Sequence, residues 1–194
     1  MSVRETLQLG HPLLVAENSS ITDPLDPHVQ TVIQDLVDTM RENQLIGMAA
    51  PQLGENITVF ITEPRATLTR PPEQSDELRV YINPRIINLS KEENIIFEGC
   101  GSVMRGQFFA PVQRPREVTV EALDREGTPF RFSADGILGR VIQHEYDHLL
   151  GIEFIEKVSD FKQAMSIEFY REKMKDSSEN KLASLITKKE FISL

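Results

Sequence analysis

The chain has 194 residues, 40% of them hydrophobic and 26% charged, the balance of a single soluble domain able to bury a sizeable core. No apolar run approaches bilayer-spanning length, and a formal net charge of -9 argues against non-specific nucleic-acid binding through a generally basic surface. A single cysteine, Cys100, excludes an intramolecular disulfide and fits a reducing compartment. The first residues lead into no long apolar stretch, so a secretory signal is not expected and the cytoplasm is the expected location.

Residues 1–25 read as irregular, with turn formers at Gly10, Pro12 and Pro24. Asp26-Pro27 then reads as an N-cap followed by proline at the first helical position. Val29, Ile33, Leu36, Val37 and Met40 recur at helical spacing and predict an amphipathic helix of roughly four turns, ending near Asn43. His11 and His28 read as surface residues. The next segment, Leu45 to Gly54, concentrates small residues and carries Gln52. It reads equally as a loop packed under the helix or as a place where a ligand approaches the backbone.

From Ile57 to Arg131 the pattern is one of short strands. Ile57–Ile61 is β-rich, residues 63–76 form a polar loop, and Arg79–Ile82 and Arg85–Leu89 flank a turn or kink at Asn83-Pro84. Asn94–Phe97 leads into Glu98-Gly99-Cys100-Gly101-Ser102, and Glu117–Leu123 with Pro129–Phe132 predicts an antiparallel hairpin across Asp124–Gly127. Ser133 or Asp135 is placed to cap a second helix, with Ile137, Leu138, Val141, Ile142 and Leu149 around its circumference and Gly151 ending it. That helix should be central. Ser159-Asp160 is expected to open a third helix to about Lys175, with Phe161, Met165 and Phe169 on its apolar side. The expectation is an α+β fold, with one catalytic domain over residues 1–175 and a polar tail over 176–194.

The second helix carries Gln143-His144-Glu145-Tyr146-Asp147-His148, an H-E-x-x-H pattern. Residues four apart share a helix face, so His144 and His148 can point at one metal ion, with Glu145 beside it as a general base. A catalytic site needs a third ligand and an open position. Cys100, flanked by glycines, is the best source; a lone cysteine is also commonly an inert buried thiol. Glu153 and Glu156 are the downstream alternatives, or ordinary solvated carboxylates.

Three segments, Gly47-Met48-Ala49-Ala50-Pro51-Gln52, Glu98-Gly99-Cys100-Gly101-Ser102 and Gln143-His144-Glu145-Tyr146-Asp147-His148, resemble in this order the three signature motifs of peptide deformylase. The resemblance implies antiparallel sheets around a central metal-binding helix. It implies Cys100, His144 and His148 as ligands of Fe²⁺, for which Zn²⁺, Ni²⁺ or Co²⁺ can substitute. Water at the fourth position would attack the formyl carbon of an N-formylmethionyl nascent peptide, with Glu145 moving the proton and Gln52 and the Gly101 N–H holding the oxyanion. Ile46, Gly47, Gly99 and Val141 would line the substrate. The implied partner is the nascent N-formylmethionyl peptide, and membranes and sequence-specific nucleic acid are not expected; residues 157–194, with a net charge of +2 against -11 for the remainder, read as an ordinary solvated segment or as a transient ribosome contact. The sequence departs from the family pattern at Leu45, where glycine is usual, at Gly101, where a larger side chain is usual, and at Arg140, where an apolar methionine-pocket residue is usual. No arginine after Cys100 is placed unambiguously near the substrate.

Overall fold

The structure, a computed structural model, describes residues 2–68 and 70–194. Met1, in the irregular N-terminal arm, and Thr69, in the polar loop 63–76, lie outside the described residues. Helix α1 spans Pro27–Glu42, with Asp26 at its N-cap accepting from the His28 N–H and proline in the first turn. Strands β1 (Gly47–Ala49), β2 (Val59–Thr62), β3 (Arg79–Leu89), β4 (Glu93–Gly99), β5 (Phe108–Pro115), β6 (Glu117–Leu123) and β7 (Pro129–Asp135) precede helix α2 (Gly136–Leu149). After α2 come a short strand β8 (Met165–Ser166), a helical turn α3 (Ile167–Phe169), helix α4 (Ser178–Ser184) and strand β9 (Lys189–Ser193).

The strands make two antiparallel sheets, one ordered β1-β2-β3-β6-β7-β9 and one ordered β4-β5-β8. Alternation along β2 explains how the layers meet. Val59 and Ile61 pack with Val32, Ile33 and Leu36 of α1. Phe60 joins Leu138, Val141 and Ile142 of α2. β3 repeats the division, with Val80 and Ile82 toward α1 and Tyr81 toward α2. This end of the sheet is covered by a helix on each face, so all four residues of β2 are buried. Asn83 takes a left-handed conformation (φ +49°), and the pairing of β3 with β6 shifts register between Ile82 and Arg85. The two short strands expected around Asn83-Pro84 are thus one bulged strand.

Three expectations need correction. Neither Ser133 nor Asp135 caps α2 with its side chain: Ser133 pairs with Thr119, and the Asp135 carboxylate accepts from the backbone N–H groups of Thr187 and Lys188. The helix expected over 159–175 is broken into a 3-10 turn at Phe161–Gln163, strand β8, and a helix that begins only at Ile167 and passes into a π-helical turn over Tyr170–Met174. Met165 and Ser166 are drawn out of helix by pairing with Phe109 and Phe108. The polar tail is part of the fold. β9 adds a sixth strand beside β7, Phe191 stacks on Phe130 at 5.3 Å, and Ile186 is buried. Gly136 is needed where the tail crosses the start of α2, because its φ is +57° and a Cβ there would stand 2.3 Å from the Leu185 carbonyl oxygen. No helix among the described residues is long and apolar enough to cross a membrane.

Candidate metal centre

Helix α2 is buried along nearly its whole length and ends where Gly151 turns left-handed (φ +70°), as the C′ glycine predicts. It carries His144 and His148 on one face, their rings 5.2 Å apart. Cys100 follows directly on β4 and brings its thiol to 3.3 Å from His148 Nε2. The Ser102 N–H and the Gln52 side-chain amide both point at the sulfur, each at 3.4 Å. One donor atom from each of Cys100, His144 and His148 falls within 4.8 Å of the others, and all three residues are buried.

The donor chemistry fits a first-row transition metal. A soft sulfur with two imidazoles suits Fe, Zn, Ni or Co, and three protein ligands leave a position open. His144 Nδ1 donates to Glu98 Oε2 at 2.8 Å, which leaves Nε2 as the free lone pair. Burial pushes His148 well below its usual range, so its imidazole is neutral and able to ligate. Burial would lower His144 too, but Cys100 and Glu98 beside it overturn that and raise it well above the ordinary value. Burial raises the Cys100 thiol, and His144 works in the opposite direction.

Beneath the cluster lies a charge network that the sequence did not reveal. Glu98 is 5% exposed, yet its carboxyl is held well below the usual range: burial alone would raise it, and Arg114 and His144 outweigh that. Arg114 forks onto Glu98 at 2.8 and 3.1 Å and also reaches Asp147. Arg140 contributes a third cationic contact, 2.9 Å from Glu98 Oε1, and binds the Asn94 carbonyl and side chain with its other nitrogen. At 3% exposure Arg140 does not face open solvent; it lines the cleft beside Val141, with its guanidinium turned onto Glu98, the Val112 carbonyl and Asn94. Glu98 supplies the counter-charge for this buried guanidinium at the position where the family usually carries an apolar residue.

A cleft of about 380 Å³ opens above this floor. Its walls include Gln52, Cys100, Gly101, His144 and Glu145 together with Ile46, Gly47, Gly99 and Val141, so the structure gathers the residues singled out from the sequence; His148 lies below rather than on the wall. Glu145 is 3% exposed, and burial pushes its carboxyl up to about 7. Gly47 is packed against it: a Cβ there would stand 2.6 Å from Glu145 Oε1 and 2.5 Å from Val141 Cγ2. Gln52 accepts from the Ala49 N–H through Oε1 at 2.9 Å, which turns its amide nitrogen toward Cys100. Across the cleft, Phe109 and Tyr170 stack at 4.2 Å, a wall that the expected third helix did not anticipate.

Leu45 and Gly101, the other two departures, meet. A Cβ on Gly101 would lie 3.0 Å from Leu45 Cδ1, so the Leu45 side chain occupies the space that a side chain at 101 would take. Gly101→Leu is expected to cost about 1–3 kcal/mol by overpacking, and in a Leu45→Ala background that cost should at least halve. Denaturant unfolding of the two single variants and the double variant measures the coupling.

Comparison with known proteins agrees with this arrangement. The polypeptide deformylase family profile matches residues 3–164. The chain belongs to that family. It is 37% identical to peptide deformylase 2 of Vibrio cholerae over 177 residues, covering 91% of this chain and 98% of that one. It is 33% identical to the peptide deformylase of Rhizobium meliloti over 167 residues, covering 86% and 91%. Among solved structures, the Ehrlichia chaffeensis deformylase in complex with actinonin superposes with a TM-score of 0.75 at 30% identity, covering 90% of this chain and 97% of that one. A class I type b deformylase of Acinetobacter baumannii with Met-Ala-Ser bound superposes with a TM-score of 0.72 at 29% identity, covering 81% and 99%. Family membership makes the chain a metal-dependent hydrolase of formylated peptides, and the antiparallel α+β architecture is that of the family.

Proposed function

We propose that the chain hydrolyses the N-formyl group of N-formylmethionyl nascent peptides, with Fe²⁺ at Cys100, His144 and His148 and with Zn²⁺, Ni²⁺ or Co²⁺ able to substitute. The observation that carries this reading is the Cys/His/His donor set in the floor of a cleft whose wall holds Glu145. When bound, the divalent ion supplies Lewis-acid activation of water and of the formyl carbonyl. Glu145 takes the proton of the attacking water and returns it to the amine nitrogen as the C–N bond breaks, giving formate and a free N-terminus. The Gln52 amide and the Gly101 N–H hold the negative charge that develops on the formyl oxygen. Ile46, Gly47, Gly99 and Val141 position the peptide; Gly99 lets Phe109 close over the backbone, since a Cβ there would stand 2.7 Å from that ring. The Met-Ala-Ser peptide seen in the A. baumannii relative supports a peptide in this cleft. Cytoplasmic residence and a transient ribosome contact go with such a substrate.

The competing reading of the sequence, a peptidase site with Glu153 or Glu156 as third ligand, is disfavoured by position. Glu156 is exposed and accepts from the Glu153 N–H, and Glu153 faces His148 Nδ1 rather than the nitrogen beside Cys100. Far from being solvated, Glu153 is buried. Cys100→Ala is expected to lose bound metal and activity together. Metal analysis of the dialysed variant checks this, and full occupancy would return the third-ligand role to a carboxylate.

A further inference from the structure

On the side of His148 away from Cys100 lies a carboxyl group that the reaction does not use. Glu153 is 2% exposed, sits at the start of the 3-10 turn Phe154–Lys157, and brings Oε1 to 3.7 Å from His148 Nδ1. Both Glu153 oxygens and His148 Nδ1 are buried without a hydrogen-bond partner among the described residues. Unpartnered buried polar atoms are costly, and here they face one another. A shift of roughly 1 Å brings the pair within hydrogen-bond range. The other imidazole ligand already has such a partner, since His144 Nδ1 donates to Glu98 at 2.8 Å.

We propose that Glu153 is the positioning residue of His148: its carboxyl accepts the Nδ1–H bond, fixes the tautomer that presents the Nε2 lone pair, and thereby raises the affinity of the site for its metal. The centre then has two carboxyl-oriented histidines, Glu98–His144 and Glu153–His148, one on each side of the cluster. Partners of this kind are worth about 10–100-fold in metal affinity. The role rests on the reading of Cys100, His144 and His148 as the ligand set, and the test separates the two.

The experiment is Zn²⁺ competition against a chromophoric chelator, with the full chain as wild type, Glu153→Leu, Glu153→Gln and Cys100→Ala. Glu153→Leu is expected to raise the dissociation constant about 10–100-fold and to release metal faster. Glu153→Gln should stay within about threefold of wild type, because its amide oxygen accepts the same bond. The metal-free Glu153→Gln protein should melt no lower than wild type, since it keeps the acceptor and loses a buried carboxyl. In the Co²⁺ form the thiolate-to-metal absorption should persist, placing the loss at His148 rather than Cys100. Unchanged affinity in Glu153→Leu, or a loss of affinity equal in Glu153→Gln and matched by a lower melting temperature of the metal-free proteins, overturns the proposal. Wild-type affinity in Cys100→Ala would instead overturn the ligand set, whatever Glu153 does. If Glu153→Leu does not fold, Glu153→Ala is held to the same thresholds.

Discussion

Replacing Glu145 by Gln is expected to remove about 10²–10⁴-fold of the turnover rate while leaving the metal in place. The side chain is buried against Gly47 and Val141, and its Oε2 has no hydrogen-bond partner among the described residues. Glutamine has the same shape and cannot accept a proton. Because the variant also removes a carboxyl from a buried position, its thermal stability should equal or exceed that of the native protein. Single-turnover formate release on protein of measured metal content separates the proton-transfer role from a ligand role. A rate within tenfold of wild type at equal occupancy would remove Glu145 from the chemistry; parallel loss of metal would make it part of the binding site.

Replacing Arg114 by Met is expected to give the largest loss of stability. Arg114 is the fork between Glu98 and Asp147, and all three side chains are nearly excluded from water. Removing the cation leaves Asp147 with Lys157 at 4.0 Å as its remaining cation among the described residues, and leaves Glu98 with Arg140 and His144. Breaking a buried pair from one side costs about 3–5 kcal/mol. At the roughly 2–4 °C per kcal/mol typical of chains near this size, the melting temperature should fall by about 6–20 °C. Arg114→Lys keeps the charge but cannot fork onto two oxygens, so its loss should be smaller. Calorimetry of the three proteins under one buffer decides the matter. A loss under about 1 kcal/mol in Arg114→Met would mean that water or Arg140 already compensates Glu98.

The candidate constellation was legible in the sequence because each of its parts is encoded locally. His144 and His148 are one helical turn apart, Gly99 and Gly101 bracket Cys100, and Gln52 ends a segment of small residues. What supports the constellation was not legible, because it is encoded across the chain. Glu98 was visible only as the residue before a glycine, and nothing near Arg114 in sequence announces that it meets Glu98 and Asp147. Glu153 looked like surface because it follows the glycine that ends α2; only the turn at Phe154–Lys157 carries it back under His148.

The misread elements have the same origin. Phe161, Met165 and Phe169 are four residues apart and suggest a helix, yet Asp160 caps a single 3-10 turn and β5 claims Met165 as a strand partner. Strand β9 has no buried residue, so it lacks the alternation that marks a half-buried strand, and it is held mainly by backbone pairing with β7. In β2 the reverse applies. Burial on both faces removes alternation, but the run Val59-Phe60-Ile61 is β-branched and aromatic enough to be read correctly.

The most direct test of the whole account is formate release from a formyl-Met peptide by the native chain, purified without oxygen and loaded to one Fe²⁺ or Ni²⁺ per molecule. Stoichiometric formate and a peptide with a free N-terminal methionine are expected, with turnover lost on chelation and restored by the metal. Full metal occupancy with no formate released would contradict it.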